Sequence, residues 1–171
     1  MKIINLIKSI YYKLISANKY AEIVGVKMGK NCKLRTKYFG SEPYLITLGN
    51  NVGTSGNVQF ITHDGSVHVL RNLYEECKDI DLIKPIKIGD NVFIGVNSVI
   101  LPGTTIGNNI IIGAGSIVKG YLEDNSVYAG VPAKFICTID DYKDKNKQNF
   151  SQTRRLSEIK KRKYFDRLEN N

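Results

Sequence analysis

With 171 residues, 25 basic against 16 acidic side chains and a net charge of +9, the chain has the length of one domain and too little for two cores. Hydrophobic residues at 42% and charged ones at 24% are ordinary for a globular protein, whereas the fifteen glycines recur at regular spacing. Cys32, Cys77 and Cys137 are odd in number, isolated and free of CxxC spacing, which excludes a disulfide framework or zinc site and favours a reducing compartment.

The first expected element is an amphipathic helix over residues 1–22. Ile3, Ile7, Ile10 and Leu14 fall at helical spacing, and Ile4, Tyr11 and Ile15 widen the stripe. Lys8 and Lys13 break the apolar run, so it fits neither a signal peptide nor a membrane span. The stripe suits packing on the chain's own core or on a second subunit. Lys2, Lys8, Lys13 and Lys19, uncompensated until Glu22, also suit an anionic membrane face.

The body, residues 23–137, is a repeat of sixes. From Ile88 it reads IGDNVF, IGVNSV, ILPGTT, IGNNII, IGAGSI, VKGYLE, with an aliphatic residue leading each six. Neither a helical period nor simple alternation explains six, but a short strand that turns a corner and repeats does. The leading residue then points into the core, with Val92, Ser98, Thr104, Ile110, Ser116 and Leu122 in the fifth position. Asn91, Asn97, Gly103, Asn109 and Gly115 fall at the corners, where positive φ suits glycine and is tolerated by asparagine. The register recurs upstream in LGNNVG, TSGNVQ and FITHDG over 48–65, and in MGKNCK and LRTKYF over 28–39, where Cys32 is core filler. Three sixes per turn describe a mostly β fold, a left-handed parallel β-helix, with rungs roughly 4.8 Å apart.

Two regions break the period, and breaks in a scaffold are where function concentrates. One is an excursion over about 62–85, bounded by intact coils. It holds both histidines of the chain, His63 and His68. A neutral imidazole is suited to take a proton from a hydroxyl at pH 7. The other break follows Val118 and leads through NSVYAGVPAKFI to a basic tail over 138–171. In that tail Leu156, Ile159, Phe165 and Leu168 give a short apolar stripe, with Ser151 or Thr153 near its start as a cap.

The sixes, the looped-out His63, and IGAGSIV followed by NSVYAGVPAKFI resemble the hexapeptide-repeat O-acetyltransferases, over about residues 24–137. That group includes galactoside, maltose and xenobiotic acetyltransferases and those of surface polysaccharide synthesis. The stretches FGSEPYLITLGNNV and FITHDGSVHVLRN look most like members acting on sugars of capsule or lipopolysaccharide. The resemblance implies acetyl-CoA as acyl donor, a sugar or polysaccharide acceptor, and a homotrimer with a site at each subunit junction.

His63 matches the family's catalytic histidine and is the expected general base; a backbone carbonyl or a distant carboxylate would orient it. The expected acceptor contacts are Glu42, Tyr44, Asp64, His68 and Arg71, with Arg71 alternatively braced against Glu75 or Glu76. The donor side implied by the resemblance comprises Phe93 where the family has tryptophan, Gly95, Ala114, Gly115, and the basic Lys119 and Lys134. Two departures bear on the nucleotide phosphates. Lys119 precedes its family position by one place, and Cys137 stands where a second basic residue is usual.

Other readings bound this one. A zinc prism of the carbonic anhydrase type needs three histidines, and the chain has two, so no metal is expected. The basic residues are dispersed and match no nucleic-acid motif, so no nucleic acid is expected either. Acyl transfer from an acyl carrier protein shares the fold and the histidine. A non-catalytic β-helix binding module shares the fold alone. The expected location is the cytoplasm, with peripheral contact to the inner face of an anionic membrane.

Overall fold

The computed structural model describes residues 10–169. The chain divides into two compact units, Met1–Ile139 and Asp140–Asn171.

The first unit is a parallel β-helix, and its sixes explain its three sheets. Each turn lays one short strand into each sheet. The first coil gives β2 (Ile46–Leu48), β3 (Gly53–Thr54) and β4 (Gln59–Phe60). The next gives β5 (Ile86–Ile88), β6 (Val92–Ile94) and β7 (Val99–Ile100), and the third β8 (Thr105–Ile106), β9 (Ile110–Ile112) and β10 (Ile117–Val118). The sheets run β1-β2-β5-β8-β11, β3-β6-β9-β12-β13 and β4-β7-β10, with β1 at Lys27–Met28 and β11 at Tyr121–Leu122. All pairings are parallel except the last, where β12 (Ser126–Ala129) meets β13 (Lys134–Thr138) antiparallel.

The leading residues Ile88, Ile94, Ile100, Ile106, Ile112 and Val118 are all buried, and so are all six fifth-position residues. Asn91, Asn97, Gly103, Asn109 and Gly115 all have positive φ, between 55° and 79°. A strand of two or three residues cannot bury much alone. Stacked coils pool these aliphatic side chains into one continuous core, each worth about 1.5–3 kcal/mol. Cys32 is half-buried against that core, its thiol reaching the Gly49 carbonyl at 3.2 Å.

Over the expected 1–22 helix the described residues form two pieces. Residues 10–14 make a helical turn, and α1 (Ala17–Val24) follows, capped by Ser16, whose hydroxyl accepts from the Lys19 N–H. Lys37 closes the first piece by donating to the Tyr12 and Lys13 carbonyls at 2.7 and 3.0 Å. A run of rings, Tyr12, Tyr20, Phe39 and Phe60, carries the core from the prism into these helices. Ile10, Tyr11 and Leu14 of the expected stripe are exposed. Ile3 and Ile7 lie outside the described residues.

Between β4 and β5 the chain leaves the prism for α2 (Val67–Leu73) and a single 3₁₀ turn at Glu75–Cys77. α3 (Ile139–Asn146) begins at the last residue of the first unit, and α4 (Glu158–Glu169) belongs to the second. Among the described residues no helix is long and apolar enough to cross a membrane.

Candidate active site

The excursion leaves and re-enters the prism as a narrow pair of antiparallel segments. The Asp64 N–H donates to the Leu82 carbonyl at 2.8 Å, the Lys84 N–H donates to the Thr62 carbonyl at 2.9 Å, and His63 faces Ile83. This clamp fixes the backbone of His63 at the corner following β4.

The imidazole lies between two carboxylates. Its Nδ1 is 3.7 Å from Glu42 Oε1 and its Nε2 is 3.5 Å from Asp81 Oδ1. The two acids differ in freedom. The Glu42 side chain is 14% exposed, and its other oxygen accepts from both Ser41 Oγ and the fully buried Thr62 Oγ1 at 2.8 Å. Gly40, at φ 66°, lets this corner close, because a Cβ there would lie 2.9 Å from Thr62 Oγ1. Asp81 is 49% exposed and pairs with Arg71. Glu42 is therefore the more buried acid, with two hydroxyl donors, and Asp81 the more exposed one, paired with Arg71.

Arg71 also donates to the Ile80 carbonyl, at 2.9 Å from Nε. Its brace is thus the returning strand, in place of the expected Glu75 or Glu76. α2 ends at Leu73 and Tyr74 is extended, which carries those two acids off the helix face. Asp64 shapes the loop: Oδ1 accepts from the Ser66 N–H at 2.9 Å, and this bond, with one from the Ser66 side chain, holds its carboxyl below the usual range. His68 is exposed on α2 with its ring nitrogen 3.2 Å from Asn72 Nδ2, and Tyr44 is exposed where its Cβ covers Gly25. Neither lines the space beside His63.

That space is a cleft of about 490 Å³. Its apolar floor includes Ile61, Leu82 and Leu101, and its rim carries His63, Asp64, Lys84 and Lys119. Lys119 follows β10 as His63 follows β4, so both occupy the same corner of the prism, in different coils.

The other expected donor residues lie elsewhere. Ala114 and Gly115 form the exposed corner between β9 and β10, one sheet away from His63. Gly95 backs that corner; a Cβ there would meet the Ala114 nitrogen at 2.5 Å. Phe93 stands half-exposed on β6, beside Gly53 and Ile111, over a shallow depression of about 280 Å³. Lys134 opens β13 and is exposed. One protomer therefore gathers the histidine and Lys119 at one corner and Ala114 with Gly115 at another.

Asp81 is the site residue that sequence reasoning missed. It lies eighteen positions beyond His63 and reaches it only because residues 62–64 pair with 82–84, a pairing without a sequence signature.

Residues 85–119 match the family model described as the hexapeptide repeat of succinyl-transferase. Protein CapG of Staphylococcus aureus is 43% identical over 164 residues, covering 92% of this chain and 94% of that protein. The chain belongs to the hexapeptide-repeat acetyltransferases. Galactoside O-acetyltransferase of Escherichia coli is 35% identical over 117 residues, or 68% of this chain and 55% of that enzyme, so this family member spans about half its length. Among solved structures, a hexapeptide-repeat acetyltransferase from Vibrio cholerae in complex with acetyl-coenzyme A superposes with a TM-score of 0.56. It is 26% identical and covers 67% of this chain and 60% of that one.

Proposed function

We propose that this family member is an acetyl-CoA-dependent O-acetyltransferase acting on a sugar hydroxyl of a surface polysaccharide or its precursor, with His63 as general base. The observation that carries the reading is the imidazole at the rim of a cleft, lying between a mostly buried carboxylate and a half-exposed one. The donor is supported by the acetyl-coenzyme A complex of a similar fold, and the acceptor class by the similarity to a galactoside acetyltransferase.

With Glu42 Oε1 facing it at 3.7 Å, Nδ1 is the nitrogen that carries the proton, and Nε2 is the one left to take a proton from the acceptor. As the sugar oxygen attacks the thioester carbonyl, its proton passes to Nε2. The tetrahedral intermediate collapses with cleavage of the C–S bond, and the departing CoA thiolate takes the proton from the imidazolium. Asp81, close to Nε2 yet paired with Arg71, stabilises the imidazolium and swings aside for the acceptor. The exposed main chain of the Ala114–Gly115 corner supplies close partners for the pantetheine amides, and Lys134 reaches the nucleotide phosphates.

The placement of the parts supports a homotrimer. His63 and the Ala114 corner lie on different edges of one prism, and a closed ring of three left-handed prisms brings the edge of one against the edge of the next. The protein works in the cytoplasm, where its net charge of +9 favours the inner face of an anionic membrane.

Replacing His63 tests the reading. His63→Ala lowers kcat by at least about a hundredfold, the usual share of a general base, with acetyl-CoA affinity by calorimetry nearly unchanged. Activity within a few-fold of the unaltered protein removes His63 from the chemistry. Absence of any CoA binding removes the donor.

A further inference from the structure

We infer that Lys84 and Lys119 form an anion-holding wall beside His63, so that the acceptor is a sugar carrying a carboxylate or a phosphate near the hydroxyl that is acetylated. The inference rests on the His63 cleft being the acceptor site.

Both lysines are exposed on the rim of that cleft, and neither forms an ion pair among the described residues. They come from different parts of the chain. Lys84 sits on the returning strand of the excursion, its N–H bonded to Thr62, its aliphatic stem lying over the Gly103 corner; a Cβ on Gly103 would be 3.0 Å from Lys84 Cδ. Lys119 extends from the coil beyond, tied to the same edge by the bond from the Leu101 N–H to the Val118 carbonyl at 2.9 Å. Phe60, Ile100 and Val118 are in register on the successive strands β4, β7 and β10, roughly 4.8 Å apart, so Lys119 follows the same edge two rungs from the coil that leads to His63. Both lysines thus line the same cleft as the base.

The acids of the region are already engaged. Asp81 pairs with Arg71, Glu42 accepts from Ser41 and Thr62, and Asp64, which shares the rim, accepts from Ser66. The apolar floor suits the C–H face of a pyranose and offers no charge. A neutral sugar would leave both ammonium groups unanswered, whereas a carboxylate or phosphate converts each into a charge-assisted hydrogen bond. The resemblance assigns Lys119 to the donor. Its position beside His63, away from the Ala114 corner, assigns it to the acceptor.

The test compares a neutral methyl hexoside, a methyl glycoside of a hexuronic acid and a hexose phosphate as acceptors of the full chain. For the unaltered protein, kcat/KM for one charged acceptor exceeds that for the neutral one by at least about tenfold, and which one identifies the anion. Lys84→Met and Lys119→Met each cut that preference about tenfold, and Lys84→Arg retains it. Equal use of all three acceptors by the unaltered protein overturns the inference and leaves the acetyltransferase reading standing. The donor is checked with a phosphate-free acetyl thioester of cysteamine. If the Met variants raise KM for acetyl-CoA alone, the lysines hold the donor's phosphates and the inference is wrong. If no sugar is acetylated at all, the functional reading fails, and calorimetric binding of the same compounds decides the wall. Tighter binding of a charged compound that weakens about tenfold in Lys84→Met keeps it, and equal binding by every variant removes it.

Discussion

The His63 imidazole owes its orientation to residues twenty or so positions away on either side. Glu42 Oε2 accepts from Ser41 and Thr62, which leaves Oε1 facing Nδ1. Asp81, itself half exposed, is held by half-buried Arg71. The two acids therefore respond differently to removal. Glu42→Gln lowers kcat by about ten- to a hundredfold, because the amide presents either its oxygen or its N–H to the ring and no longer fixes one tautomer. KM for acetyl-CoA and the melting temperature stay close to those of the unaltered protein. A parallel loss of kcat and of Tm would reduce Glu42 to a structural brace. Sequence reasoning placed Glu42 near the site, among the acceptor contacts, because it falls in an irregular segment. It had no means to aim the side chain, since the contact depends on Gly40 turning the chain beneath Thr62. Arg71 was legible as a loop brace but not its partner, which the end of α2 decides.

At the scale of the coil, the period of six determined nearly everything between Ile88 and Val118, from the inward residues to the corners with positive φ. Where the coil changes length, legibility stopped. Leu122, expected in a fifth position, pairs with Ile106 and so occupies a leading position. The coil there advances by 16 residues, Thr105 to Tyr121, where the preceding one advances by 18, Lys87 to Thr105. Residues 34–39 slip too: Phe39 is 3% exposed and Tyr38 is 60% exposed, because the offset to the next coil grows from 20 at Lys33 to 21 at Tyr38. Stacking also dictates two stability effects. Gly95→Ala forces a methyl within 2.5 Å of the Ala114 nitrogen and costs about 1–3 kcal/mol, visible as a lower Tm; an unchanged Tm would contradict this tight coil contact. Along another corner, Asn50, Asp90, Asn108 and Asp124 form a ladder of backbone-to-side-chain bonds at 2.7–2.8 Å. The Asn50 and Asn108 backbone N–H groups, then their side-chain amides, hold the Asp90 and Asp124 carboxyls below 3.8. Their contribution is complete above that value and is lost as pH falls through the lower folded pKa. The Asp90→Asn/Asp124→Asn double variant accordingly loses less Tm between about pH 6 and pH 3 than the unaltered protein. An equal loss in both would place acid sensitivity elsewhere.

For the molecule as a whole, the repeat that makes the core so regular also separates the proposed base from the proposed donor corner. A prism of this width cannot bend one edge toward another. His63 stays at the corner after β4 and the Ala114–Gly115 corner stays between β9 and β10, whatever the ligand. Two rigid edges meet only across a junction between copies, and a heterologous contact repeated by rotation closes at a small ring. Light scattering at micromolar concentration accordingly gives three chains, and a fully active monomer would contradict the shared site. Complementation tests the sharing directly. His63→Ala removes the base, and Ala114→Trp fills the donor corner, so each homotrimer is inactive. Denatured together in equal amounts and refolded, the two chains assemble at random. Roughly a quarter of the junctions then pair an intact histidine with an intact donor corner, and about that share of activity returns. Recovery requires that the two residues act from different chains. If each site were built within one protomer, no mixture of the two variants would contain an intact one, and activity would remain at the level of the separate homotrimers.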